Sequence, residues 1–266
     1  MHPLDGIWAK IQRADEHIKN LNAEINALIG SDAYRLVGEP DTDPRQCIVR
    51  AVGPEPPLRL SVIVGEIVHQ LRSSLDHLVC QLVRENKKSV NRAHQFPICD
   101  TPKEFEAACN RGRIKGISGS ARSLIEARQP YRQSEDIKRN FLYVLREIDD
   151  ADKHRLLTLV IATTNSFQLG IGGGEPTAGK KGDPINIVGA SPPTSPPQRP
   201  TEQGTEVLRL YFGEPEPDVK VAGKAVVEIM FGDLGPMTEQ PVIYVVQQLR
   251  DKTVRLLDAF RGEFAP

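Results

Sequence analysis

The chain has 266 residues, 39% of them apolar, which is enough to bury a sizeable core in one large domain or two small ones. Lys and Arg number 34 against 35 Asp and Glu, a net charge of −1, which argues against a globally basic, non-specific nucleic-acid binder. The four cysteines, Cys47, Cys80, Cys99 and Cys109, show no C-x-x-C spacing, so neither a paired-Cys zinc site nor a disulfide framework is indicated.

Residues 4 to 29 have helical spacing, with Leu4, Ile7, Trp8, Ile11, Ile18, Leu21, Ile25 and Leu28 on one side and Gly30 as the stop. This N-terminus reads as an amphipathic helix and not as a signal peptide. Short alternating runs at 34–38 and 46–52 flank EPDTDP and suit a hairpin or a pair of edge strands. GPEPP then breaks the chain, and a second long helix is expected over about 60–84. A loop carrying Phe96-Pro97-Ile98 leads to a short helix from about Pro102, where Thr101 suits the N-cap and Glu104 lies three residues on. Another short helix covers about 121–127, and a third long helix is expected over about 134–153.

The period then changes from 3.6 to 2. Strands are expected at 156–164, 167–171, 185–188, 207–212 and 225–231, with flexible loops near 172–184 and 189–205. A last helix spans about 239–260. The expected fold class is α+β: a bundle of about four long helices with a small, mainly antiparallel sheet packed to one side. The expected organisation is a single domain over 1–266. Within it, 1–155 is mainly helical with a short hairpin near 34–52, 156–235 is a β-rich insertion, and 236–266 is a helix returning to the bundle. The longest apolar run, near 156–164, is far below the about 20 residues that span a bilayer, so a cytoplasmic protein without a membrane partner is expected.

Candidate chemistry concentrates in the second helix, GEIVHQLRSSLDHLVCQL at 65–82. Val64, Ile67, Val68, Leu71, Leu75, Leu78, Val79 and Leu82 form one apolar stripe. Glu66, His69, Arg72, Ser73, Asp76, His77 and Cys80 gather on the other side, and these include residue types used in acid–base and phosphate chemistry. Arg72 and Asp76 have the spacing of an ion pair. Arg72 and His77 are five apart and diverge by about 140° around an ideal helix. A solvated polar face with one ion pair is the plainer reading of the same residues.

A second concentration, Asp149-Asp150-Ala151-Asp152-Lys153-His154-Arg155, ends the third long helix. The stripe Phe141, Leu145, Ile148 continues to Asp152 and Arg155, and an inward charge needs a partner. Asp152 is therefore expected to meet a cation: Arg155, or an Arg or His of the second helix. Asp152, His154 or Arg155 would then share a site with Arg72, Asp76 and His77. The alternative is a helix end in solvent, with Lys153, His154 and Arg155 matched to the helix dipole.

No H-x-x-x-H spacing is present and Glu66-x-x-His69 stands alone as an E-x-x-H pair, so a metal site is not indicated and no cofactor is expected. GEPTAGKK at 174–181 comes close to a phosphate-binding loop. It has Lys181 where a hydroxyl is needed and Gly-Asp-Pro where a helix must start, so a strand-to-strand loop is expected. PPTSPP reads as an unstructured connector. Cys80 lies near His77 but reads as an inert thiol.

The motifs G-E-I-V-H-Q-L-R-S-S-L-D-H-L at 65–78, Q-F-P-I at 95–98, Q-P-Y at 129–131 and D-K-H-R at 152–155 together resemble a widespread family of uncharacterised bacterial proteins. That resemblance spans about 34–157 and brings no established activity. Arg72-x4-His77 is also similar to the R-x4–6-H motif of the HEPN superfamily. Those proteins are helical bundles, often dimeric, and many are metal-independent ribonucleases of toxin–antitoxin and phage-defence systems. The resemblance implies that Arg72 binds the scissile phosphate and that His77 moves a proton on a 2′-hydroxyl.

Two functions follow. One is a HEPN-like module that cleaves or binds RNA, with Asp76 or Asp152 orienting the imidazole. In that case a symmetric homodimer would pair two polar faces and overcome the divergence of Arg72 from His77. The other is a non-enzymatic binding or assembly protein whose Arg, Asp and His motifs form an interhelix polar network. Whether the chain is an enzyme stays open at this level.

Overall fold

The computed structural model describes residues 3–30, 34–133, 135–172, 186–191, 204–216 and 220–264. The near-phosphate-loop at 174–181 lies outside them, as does PPTSPP. The fold is α+β, as expected, and divides into two compact units. One comprises residues 1–23, 58–158 and 231–266; the other comprises 24–57 and 159–230.

The first unit is helical. α1 (Asp5–Gly30) buries Ile7, Ile11, Ala14, Ile18 and Leu21 at three- and four-residue spacing. α2 (Leu58–Glu85) is the central element, and every residue of its predicted apolar stripe is at most 3% exposed. Two short helices follow, α3 (Pro102–Asn110) and α4 (Gly119–Ala127). Each starts at a side-chain cap: Thr101 accepts from the Glu104 N–H and Ser118 from the Ala121 N–H. The single turn α5 (Pro130–Gln133) precedes α6 (Phe141–His154).

α6 is shorter than the periodicity predicts. Asn140 caps it by accepting from the Leu142 N–H, and residues 137–139 form a separate 3-10 turn capped by Asp136. Two competing side-chain caps in succession end one element and start the next. α7 (Val242–Asp258) returns to the bundle and packs on α2 and α6. Polar contacts tie α1 to its neighbours: Arg250 grips Asp15 at 2.7 and 2.8 Å, and His17 pairs with Glu66 at 3.3 Å.

The second unit is a sheet of order β3-β6-β1-β2-β5-β4, with β1 Arg35–Pro40, β2 Gln46–Val52, β3 Leu159–Gly172, β4 Ile187–Ser191, β5 Thr205–Phe212 and β6 Lys220–Phe231. The β1–β2 hairpin, expected as part of the mainly helical segment 1–155, forms the middle of this sheet. β2 alternates strictly, burying Cys47, Val49 and Ala51, and pairs antiparallel with β1 and β5. β6 approaches β1 so closely that a Cβ at Gly38 would lie 2.6 Å from Val221 Cβ, a contact only glycine allows. The two strands expected at 156–164 and 167–171 are one continuous strand, β3. No Gly or Pro interrupts residues 159–169, so the backbone stays extended through Asn165-Ser166.

Candidate functional site

The polar side of α2 does not open onto solvent at Arg72. That residue is only 9% exposed and pairs with Asp76 at 3.2 Å, as the spacing predicts. Both side chains are then committed to one residue of the loop at 95–100. Arg72 Nη2 donates to the Phe96 carbonyl at 2.8 Å, and Asp76 Oδ1 accepts the Phe96 N–H at 2.9 Å. The ring of Phe96 is fully buried among the helices. Arg72 Nη1 is buried and faces Asp76 as an ion pair without hydrogen-bond alignment.

The rest of the loop is held in the same way. Gln129 is fully buried; its Oε1 accepts the Cys99 N–H at 2.9 Å, and its Nε2 donates to the carbonyls of Pro97 and Ile125 at 3.0 Å each. Arg146 of α6 donates to the Ile98 carbonyl at 3.3 Å and grips both oxygens of Asp100 at 2.9 and 3.1 Å. Its guanidinium lies over Tyr143, 4.8 Å from the ring centroid. Glu104 Oε2 accepts the Asp100 N–H at 2.8 Å. The loop has no ladder partner, so its buried backbone groups take side chains instead.

A cleft of about 330 Å3 opens beside this loop. Arg72, Arg111, Arg113, Arg146 and Lys153 line it together with Glu104, Asp149 and Asp150. Arg72, Arg146 and Lys153 are already paired with carboxylates, whereas Arg111 and Arg113 have no carboxylate partner among the described residues. Arg146 is held by Asp100, Lys153 binds Asp149, and Arg113 Nη1 donates to Gln95 Oε1. Burial pushes the Asp76 carboxyl above the usual carboxylate value, while Arg72 and the Phe96 N–H pull it back.

The acidic end of α6 corrects two expectations. The buried carboxylate is Asp149, 4% exposed, and not Asp152. The helix turns its Leu142, Leu145, Ile148 and Asp149 side inward, so the inner stripe reaches Asp149 first. Asp152, half-buried, makes no ion pair among the described residues. It lies on α2 where the chain has no side chain, and a Cβ at Gly65 would collide with its carboxylate. Burial, then the charge of Asp149, pushes the Asp152 carboxyl up; His69 and Lys153 oppose that shift.

The remaining residues disperse. Arg155 is exposed and reaches Asp233, donating to its carbonyl at 3.1 Å. His154 is exposed at the helix end, and His69 is exposed on α2. Ser73 adds no hydrogen bond to the loop among the described residues. His77 lies at the surface, where desolvation followed by the charge of Lys10 on α1 lowers its pKa. Arg72 and His77 therefore have different neighbours, as their divergence predicts, and among the described residues Asp152, His154 and Arg155 make no hydrogen bond or ion pair with Arg72, Asp76 or His77. Burial raises the Cys80 thiol pKa, consistent with an inert role. Among the described residues no three His, Cys, Asp or Glu side chains could hold a metal ion, and no helix is long and apolar enough to cross a membrane.

Three members of the network escaped the sequence reading: Gln129, Arg146 and Gly65. Gln129 and Gly65 sit inside quoted motifs, Q-P-Y and G-E-x-x-H, and a Gln fixed beside a Pro or a Gly inside a long helix is the signal that pointed to them. Compared with protein-family models, curated proteins and solved structures, the chain matches none.

Proposed function

We propose that this chain is a non-enzymatic binding or assembly protein whose Arg and Asp motifs form a structural lock on the loop at 95–100. The observation that carries this reading is the commitment of both Arg72 and Asp76 to the backbone of Phe96. A phosphate-binding arginine needs free donors facing an open space. Arg72 spends Nη2 on a carbonyl, and its Nη1 is shielded from solvent against Asp76. The cleft beside the loop is the ligand-sized opening of this region, and its Arg72, Arg146 and Lys153 are paired internally.

The HEPN-like reading, an RNA-cleaving dimer, retains one supporting observation: His77 is exposed, and burial followed by the charge of Lys10 lowers its pKa, the direction that favours the neutral imidazole of a general base. One experiment separates the two. Purified protein is incubated with single-stranded RNA without metal, and the melting temperatures of Arg72→Ala and His77→Ala are compared with that of the parent. The lock predicts no cleavage, a large loss of stability in Arg72→Ala and none in His77→Ala. Cleavage that disappears in His77→Ala at unchanged melting temperature establishes the ribonuclease reading instead.

A further inference from the structure

The helical unit carries a second opening, a groove of about 480 Å3 formed by the start of α6, the 235–240 turn and α7. Val144, Val245 and Leu249 supply an aliphatic floor. Tyr244, Gln248 and Lys252 follow one another at four-residue intervals along α7 and so form one row beside it. Tyr244 is 57% exposed, an aromatic ring left to water. Arg139 also borders the groove but is already paired with Asp136 at 3.2 Å, and no carboxylate lines the groove among the described residues. Lys252 has no carboxylate partner among those residues either, whereas neighbouring Arg250 has two.

An exposed Tyr and an exposed Arg beside a desolvated aliphatic floor are the composition of protein-recognition surfaces, and Tyr and Arg dominate their binding energy. The sign of the lining decides the partner. A chain of net charge −1 presents here the cation Lys252, which no carboxylate matches among the described residues, and this attracts acidic groups and rejects basic ones. A single-stranded nucleic acid needs a row of stacking rings along a basic track, and one tyrosine over aliphatic residues does not supply it. We infer that this groove docks a peptide segment of a protein partner, with apolar side chains on the floor and Asp or Glu against Lys252. The inference stands on residues separate from the Phe96 lock and does not depend on it.

The test uses the full chain and a phage-displayed library of random peptides. Sequences carrying apolar residues flanked by Asp or Glu are expected to be enriched. Synthetic copies of them lose roughly tenfold or more in affinity for Tyr244→Ala and for Lys252→Glu. Both positions are outside the core, so melting temperatures stay unchanged and the loss reports on binding. Enrichment of no sequence, enrichment of basic sequences, or affinity retained by both variants overturns the proposal. So does a single-stranded oligonucleotide that binds the parent and is lost in the same two variants.

Discussion

Arg72 donates from Nη2 to the carbonyl of Phe96 at 2.8 Å, across 24 residues of chain. Through Asp76 the same residue is held at its N–H, so α2 fixes both polar groups of one peptide position. Removing either partner strands the other in a low-dielectric interior. Arg72→Ala is expected to destabilise the fold by about 3–5 kcal/mol, because Asp76 and the Phe96 carbonyl lose their partner together. Chemical denaturation measures this directly, and a loss under about 1 kcal/mol contradicts the lock.

Gln129 offers a sharper test because it both accepts and donates. Gln129→Glu keeps the acceptor for the Cys99 N–H but turns a lone pair toward the carbonyls of Pro97 and Ile125. At neutral pH the variant should lose about 1–3 kcal/mol for each stranded carbonyl. A protonated carboxyl can donate again, so stability is expected to recover as pH falls toward about 4. Denaturation of parent and variant at both pH values tests this, and equal loss at both refutes it.

Asp152 behaves oppositely to an ion-paired carboxylate. Its folded pKa is raised, so the folded state holds the proton more tightly than the unfolded chain. The stability this contributes is present below the ordinary carboxylate value, about pH 4, and is lost as pH rises through the raised folded value. Asp152→Asn should therefore leave stability unchanged or higher at neutral pH and flatten its decline between about pH 4 and 7. Thermal melts across that range decide it; a marked loss at pH 7 means that an ion pair supports the fold.

Gly65 and Asp152 should be coupled. Gly65→Ala drives the carboxylate off the face of α2 into a more solvated position. The Asp152 pKa is then expected to fall back toward the ordinary carboxylate value, read by carbon-detected NMR titration. Ala gains about 1 kcal/mol of helix propensity over Gly, so stability alone does not report this movement. An unshifted titration shows that the two residues do not touch.

His77 titrates below the ordinary imidazole value because its surroundings desolvate it and Lys10 stands nearby. Lys10→Ala should raise its midpoint toward about 6.5, followed by proton NMR. The lowered pKa also means that stability from this group is full above the unfolded value and is lost as pH falls toward the folded one. A midpoint unmoved by Lys10→Ala leaves desolvation, with the charge of Arg84, as the cause.

Much of this protein was determined by local sequence. The apolar stripe of α2, the Arg72–Asp76 pair, the caps Thr101 and Ser118 and the alternation of β2 depend on neighbours within one or two turns, and period and spacing encode them. The extent of α6 was not legible, because the Asp136 and Asn140 caps compete with a periodicity that runs through them. Nor was the destination of the polar side chains. Arg72 was read as a phosphate ligand, yet its partner is a backbone carbonyl 24 residues away, and backbone groups leave no mark in the sequence. Asp149 and Asp152 lie three residues apart on one helix, and only the packing of α6 on α2 decided which was buried against Arg72's surroundings and which came to rest on Gly65. The hairpin at 34–52 was visible as a hairpin, but its place at the centre of a sheet came from pairing with β5 and β6, strands more than 150 residues downstream. Long-range pairing and the choice of a buried helix face are properties of the assembled chain, and there the tertiary structure turned a row of catalytic residue types into a clamp on Phe96.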